Sequence, residues 1–471
     1  MPGPLRFLLA AIGAICHHGT ALDEDALASA VSSGGSATIE FDRDIYLTDT
    51  ISMDSIPSPV NIDGHGFELD GQNNVRCLYI KNTIEVAIRG LSVVNGYFGT
   101  GNDYGGGGIH ITTNSVVRMS SCEIINNAAD GGYGGGVYLE ENSLLYISDS
   151  ILIGNTATYG GFLYSYGSSA VFITRSIINN NRATKDGGGI NAEMNVHLNV
   201  SYSDIANNTA LRYGGGLYIE DYSNASIVGC DLNYNSASKD GGGIYVYRSA
   251  VSIVKCDIDA NKAGKQGGGM CTFNEYNQDH LRVNVLDSRI VNNVAAQSGG
   301  GAYIDYNSYA DIKNCTIADN WSGNEPSPPL TDSYEFDYIG GGGLFVNYYS
   351  ELRLKMSIVS NNSATAVSCS SSDRCRPAGS GILIKRANVI LDACEVTENS
   401  AYRGGGIYAI TSFFQITDTH IDENKAQHKG GGVYSDYTEV EMASSRCTKN
   451  TAGTAGGGVN FFTVRIFQYW P

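Results

Sequence analysis

Apolar and polar residues alternate one for one along most of this chain. Leu144 to Ile151 and Ala250 to Ile258 place apolar, β-branched side chains on a single face. A period of two predicts strands rather than helices. The exception is Asp23 to Val31, whose spacing predicts one short helix. The strand-like runs are short and regularly punctuated. A glycine triplet followed by an aliphatic residue recurs, its third position falling at Gly108, Gly136, Phe162, Gly189, Gly216, Gly243, Gly269, Gly301, Gly343, Gly381, Gly406, Gly432 and Gly458. Nine of the twelve steps are 25–28 residues, and the three longer ones mark insertions.

A second landmark, Cys/Ser-x-Ile-x-x-Asn-x-Ala, precedes most triplets, as in Cys122 to Ala129 and Cys230 to Ala237. Its asparagine is present in every internode, from Asn127 and Asn155 through to Asn424 and Asn450. Short strands at a fixed period predict an all-β parallel solenoid of about 13 or more coils, one repeat per coil. Coils stacked about 4.8 Å apart turn equivalent residues into ladders. Aliphatics after the triplet (Val137, Leu217, Ile244, Ile407, Val433) then stack inside. Glycine allows positive φ and close backbone approach at a corner, and stacked asparagine amides can hydrogen-bond from coil to coil.

The same pattern divides the chain. Residues 1–21 read as a secretory signal: Leu5 to Cys16 is apolar, with Arg6 near its start and small residues Gly19 to Ala21 after it. Residues 22–460 form the solenoid domain, of which 22–72 supply a helical cap and the first irregular coils. From Asn460 the repeat is lost, so 461–471 read as an irregular tail.

The G-G-G-[ILV]-Y element with its upstream N-x-A element resembles the repeat of chlamydial polymorphic membrane proteins. More widely, it is similar to the pectin-lyase-like β-helix superfamily. The resemblance spans about residues 22–460, with the F-x-x-N hallmark present mainly as I-x-x-N. It implies a single-stranded right-handed parallel β-helix and, for that repeat type, surface display and adhesion.

Composition narrows the classes. The 59 glycines are not at every third position and prolines number 9, which excludes collagen. With 42% hydrophobic and 17% charged residues, the chain can bury a core. A net charge of −18 argues against nucleic acid, which needs a basic footprint. No run reaches the ~18 apolar residues of a membrane span.

Tyrosine often follows the aliphatic, and an acid sits two residues on. Tyr138/Glu140, Tyr218/Glu220, Tyr303/Asp305 and Tyr434/Asp436 are the clearest pairs, with Glu193 in the same phase. Alternation turns both positions outward, as an aromatic and acidic face able to stack sugar rings or hold Ca²⁺ through oxygens. A stabilising tyrosine ladder with solubilising charges is the competing reading. No metal or other cofactor is otherwise called for: no Cys/His spacing reads as zinc.

An assembled catalytic set is not apparent. Asn61-Ile62-Asp63 and Gly64-His65-Gly66 match fragments of polygalacturonase motifs but overlap in the first coils, and Arg353-Leu354-Lys355 is remote. Arg248, Lys385 and Arg386 are candidate lyase bases, or solvated charges. Cys122, Cys230, Cys256, Cys315 and Cys394 share one repeat position, predicting either a disulfide between Cys230 and Cys256 or buried thiols. Cys369 and Cys375 bracket a short loop and are a disulfide candidate. Sequons at Asn199, Asn207, Asn224, Asn314, Asn320 and Asn361 are glycosylation candidates. The insertions 322–340 and 366–379 leave the same corner on consecutive coils, where long loops often carry function. A secreted or cell-surface binding module, non-enzymatic and taking a glycan or protein ligand, is the expectation. A polysaccharide lyase or glycoside hydrolase is the alternative.

Overall fold

The computed structural model describes residues 22–33, 38–99, 105–275, 282–323, 340–365, 379–462 and 465–467. Each full coil contains four strands joined by tight corners. In one central coil these are Ile244–Tyr247, Ala250–Val254, Asp257–Asp259 and Lys262–Ala263. Stacking the coils makes four parallel sheets, named here sheets 1 to 4 in that order, of 15, 16, 15 and 13 strands. Sixteen strands at about 4.8 Å make a rod of about 70 Å. The expected helix is Glu24–Ser33, started by Asp23, whose carboxylate accepts the Ala26 N–H at 2.9 Å. Its Leu27 and Val31 are buried against the first coils. Among the described residues no helix is long and apolar enough to cross a membrane.

Alternation sets the core. Ile244 and Val246 of sheet 1, Val251 and Ile253 of sheet 2, and Ile258 of sheet 3 all point into one continuous apolar interior. The corners are closed by single residues in the left-handed region, such as Lys255 (φ 55) and Ala260 (φ 53). The left-handed residue sits just before each ladder asparagine, not at it.

The triplet explains itself at Gly241–Gly243. Gly241 has φ 68, and a Cβ on Gly242 would lie 2.3 Å from the Gly268 carbonyl oxygen of the next coil. Beside it runs the asparagine ladder. Asn235 Nδ2 donates to Asn261 Oδ1 at 3.1 Å and to Ile205 O at 2.7 Å, and Asn235 N donates to Asn261 Oδ1 at 2.9 Å. The same bonds recur from Asn127 to Asn450.

A second ladder runs through the cysteine position, where most backbone N–H groups meet the next coil's side chain. Ser150 N reaches Ser176 Oγ at 3.2 Å and Cys230 N reaches Cys256 Sγ at 3.4 Å. The thiols of Cys77, Cys122, Cys230, Cys256, Cys271, Cys315, Cys394 and Cys447 are free, so the buried-thiol alternative holds and Cys230 is not bridged to Cys256.

The far end differs from expectation. Val459–Phe462 pairs in register with Val433–Asp436, and Arg465–Phe467 pairs with Glu439–Glu441. Residues 461–462 and 465–467 therefore extend sheets 1 and 2 instead of leaving them. The molecule is a right-handed parallel β-helix capped by one helix.

Candidate functional site

The tyrosine and acidic positions do point away from the main core, but the tyrosines are buried and the acids, apart from buried Asp305, are only half-exposed. Tyr138, Tyr218, Tyr303 and Tyr434 are 3–6% exposed, and the last three belong to a second apolar layer on the outer face of sheet 1. The cause is the segment between sheet 4 and the glycine triplet, which folds back over that face. Tyr133 lies 4.4 Å from the Tyr164 ring and Tyr213 4.8 Å from Tyr245, centroid to centroid. Alternation fixes the side of a strand, and here the neighbouring loop covers that side.

The acids two residues on are tied to these rings. Tyr138 OH donates to Glu140 at 2.5 Å, Tyr218 OH to Glu220 at 2.8 Å and Tyr164 OH to Glu193 at 2.7 Å. Burial raises the Glu140 carboxyl, but hydrogen bonds from His110 and Tyr138 outweigh it and leave the group below its ordinary range. Burial pushes Glu220 up to about 7, helped by the charges of Glu193, Asp221 and Asp186. Burial likewise takes Asp305 to about 7, against hydrogen bonds from Tyr306 and Tyr303 and the charge of Lys385. Asp436 is raised by burial and lowered by Arg403. This face is a ladder of hydrogen-bonded pairs. Among the described residues no group of three or more His, Cys, Asp or Glu is placed to hold a metal ion, so the acids do not form a side-chain Ca²⁺ cage.

The remaining sequence candidates disperse. Arg248 pairs with Asp221 and covers the Tyr247 ring at 4.6 Å. Lys385 and Arg386 lie over the Tyr348 ring at 5.2 and 5.3 Å. Asp63 and Arg353 both lie in sheet 2, but ten strands apart, about 48 Å. Arg353 is paired with Glu351. The polygalacturonase-like fragments therefore do not assemble.

Asn207, Asn224, Asn314 and Asn361 are exposed and Asn199 is half-buried. Asn320 is a correction: it is 1% exposed, and its amide is committed to Ile290 O at 2.8 Å and Asn362 Oδ1 at 3.0 Å, which leaves no nitrogen for a glycan. Cys369 and Cys375 lie outside the described residues, as do 1–21 and most of both insertions.

A site that repeat reading missed lies on the outer face of sheet 2. It is a groove of about 670 Å³ over the early coils, from Asn61 and Asp63 to Asn199 and Ser201. Its floor is a stack of planar groups on successive coils. The Arg118 guanidinium lies 4.1 Å over the Tyr146 ring, and Tyr146 stacks on Phe172 at 4.8 Å with 7° between planes. Phe172 is in register with Asn199, a much smaller side chain, so the stack ends in a step at the Phe172 face. His197 leans on that ring from 6.2 Å.

Polar groups flank the stack: Asn61, Asp63, Arg89, Ser120, Ser148, Thr174, Asn199 and Ser201. Asp63 pairs with Arg89, whose hydrogen bond holds its carboxyl below the ordinary range. Arg118 pairs with Glu85 at 2.7 Å. The groove's formal charges therefore cancel. The sequence did carry a signal for this site: Tyr146 and Phe172 are one period apart at an outward phase, with Arg118 one period before.

Comparison with known proteins agrees with the fold and is silent on the groove. No curated protein and no solved structure matches the chain. Residues 107–278 match the protein-family model described as a right handed beta helix region.

Proposed function

We propose that this protein is a secreted or cell-surface β-helix that binds a glycan in the sheet 2 groove without transforming it. The observation that carries the reading is the Arg118–Tyr146–Phe172 stack inside a groove of about 670 Å³, bordered by amide, hydroxyl and carboxylate side chains. Inside the stack the ring faces cover one another, so only the Phe172 end offers a free face to a sugar ring. Short side chains bearing one or two polar atoms suit the alternating hydroxyls of a pyranose. Charge cancellation in the pairs Asp63–Arg89 and Glu85–Arg118 favours a neutral glycan over a polyuronate.

Hydrolysis is the weaker reading. It needs two carboxylates at a set separation, and the groove lining contains one, Asp63, already ion-paired. Secretion rests on the reading of residues 1–21 and on the exposed sequons.

The test is retention on immobilised neutral and uronic polysaccharides, with new reducing ends and unsaturated products assayed alongside. Neutral glycans should retain the protein, and Phe172→Ala should weaken retention about 2- to 10-fold, the range of one aromatic stacking contact. Asn199→Gln should weaken it while leaving the fold intact. Equal retention of the wild type and Phe172→Ala would refute the groove. Cleavage of any glycan would overturn the non-enzymatic reading.

A further inference from the structure

On the outer face of sheet 1, among the described residues, each carboxylate at this repeat position has its own basic neighbour except two. Glu140 meets His110 Nε2 at 2.9 Å. Asp305 feels Lys385, and Asp436 feels Arg403. On the adjoining loops Asp186 is bound by Arg212 and Asp221 by Arg248. Glu193 and Glu220 stand in register on adjacent strands, and each accepts only a tyrosine hydroxyl, from Tyr164 and Tyr218 respectively. Two neighbouring half-buried carboxylates without a counter-cation repel one another.

The same coil breaks the aromatic row. Asn191 stands in register between Tyr164 and Tyr218, where neighbouring coils mostly carry rings. It is fully buried, yet neither Nδ2 nor Oδ1 has a hydrogen-bond partner. In the covering segment this coil has Asp186 where the coils on either side have Tyr159 and Tyr213. A polar layer thus separates Tyr164 from Tyr218, which sit two coils, about 9.6 Å, apart. A buried amide left unpaired costs about 1–3 kcal/mol, so a native site of this kind calls for a partner.

We propose that Glu193, Glu220 and Asn191 form a binding site for a ligand carrying a primary ammonium group. Three N–H donors match the two carboxylates and Asn191 Oδ1, and the flanking tyrosine rings favour a cation. Metal is the poorer match, since no third acid, Cys or His joins the set among the described residues. The next coils already show this recognition within the chain: Arg248 lies over the Tyr247 ring and pairs with Asp221. The site is on a different face from the sheet 2 groove and stands whether or not that groove binds glycan.

The test is thermal unfolding at pH 7.5 in methylammonium chloride against sodium chloride at equal ionic strength. The full chain should melt about 1–2 °C higher in methylammonium at tenfold saturation. Glu193→Gln and Glu220→Gln keep the side-chain shape and the tyrosine bond, and each should abolish the difference. Phe172→Ala should retain it. A glucosamine oligomer and a lysine tripeptide, run as further arms, identify an amino sugar or a protein side chain as the natural source. Equal midpoints in the two salts, or a difference that survives Glu220→Gln, would overturn the proposal. An unshifted wild type together with a more stable Glu220→Gln would show instead that the two carboxylates share a proton.

Discussion

Truncating one rung of the asparagine ladder should cost more than any surface change in this protein. In Asn235→Ala, the lost Oδ1 had accepted the Asn208 N–H and the Asn208 Nδ2–H, both at 3.0 Å. Both donors are left without a partner in a fully buried position. Asn208 Nδ2 keeps its bond to Ile178 O at 2.9 Å, and Asn261 Oδ1 keeps the Asn235 N–H at 2.9 Å. The damage is therefore two orphaned donors and the lost donation to Ile205 O. At about 1–3 kcal/mol per buried orphan, the cost is about 4 kcal/mol. A solenoid is stabilised repeat by repeat, so a global unfolding midpoint averages over the whole rod a loss that belongs to a few coils. Hydrogen exchange followed by mass spectrometry reports each coil. Protection should fall first in residues 205–210 and 232–237, while 382–410 stay protected. Asn224→Ala is the control: its side chain is exposed, and it should change stability by less than about 0.5 kcal/mol. Equal loss of protection in the two variants would refute the claim that the ladder clamps adjacent coils.

Other consequences are as direct. Asp305 is almost fully buried and has its carboxyl raised to about 7, so the folded state binds the proton more tightly than the unfolded chain does. Its stabilising contribution is complete below about pH 4 and is lost as pH rises to about 7, so Asp305→Asn should flatten that part of the stability–pH curve. Gly242→Ala puts a Cβ 2.3 Å from a backbone carbonyl oxygen and should prevent coil stacking there. Gly66→Ala, at φ +84 with open space around it, should cost only about 1 kcal/mol, and comparable unfolding midpoints for the two would contradict this reading. In native protein, Cys77 and Cys315 should resist alkylation until denaturant is added, since burial pushes their thiols up to about 12 and 11. Rapid labelling of either would show that the coils open there.

The fold was legible because every coil repeats its physical necessities. A glycine is needed wherever an added Cβ would lie about 2.3 Å from the next coil's carbonyl oxygen, and an asparagine wherever an amide must bridge two coils, so both recur at the period of the coil. Burial on the outer face was not legible from alternation. Tyr218 and Ile219 point opposite ways, yet both are buried: Ile219 in the main core, and Tyr218 because the segment around Tyr213 returns over sheet 1. That return depends on the path of the few residues between Ala210 and Gly214, which strand periodicity does not describe.

Repetition also hides what occurs only once. Arg118, Tyr146 and Phe172 occupy an outward phase that Asn199 and Ser226 fill on the next coils, so they never form a long series. A search for residues that recur discards them, whereas a search for residues that interrupt the series selects them. The same logic selects Asn191, a polar break in a row of rings. In a solenoid the recurring residues bear the load of stacking, and each can be replaced only at a cost to its two neighbours. Outward residues on single coils carry no such duty, so they are where a binding chemistry can be placed without disturbing the rod. The groove variants Phe172→Ala and Asn199→Gln should accordingly change binding while leaving exchange protection of the coils intact. Asn235→Ala, made on the opposite principle, should do the reverse.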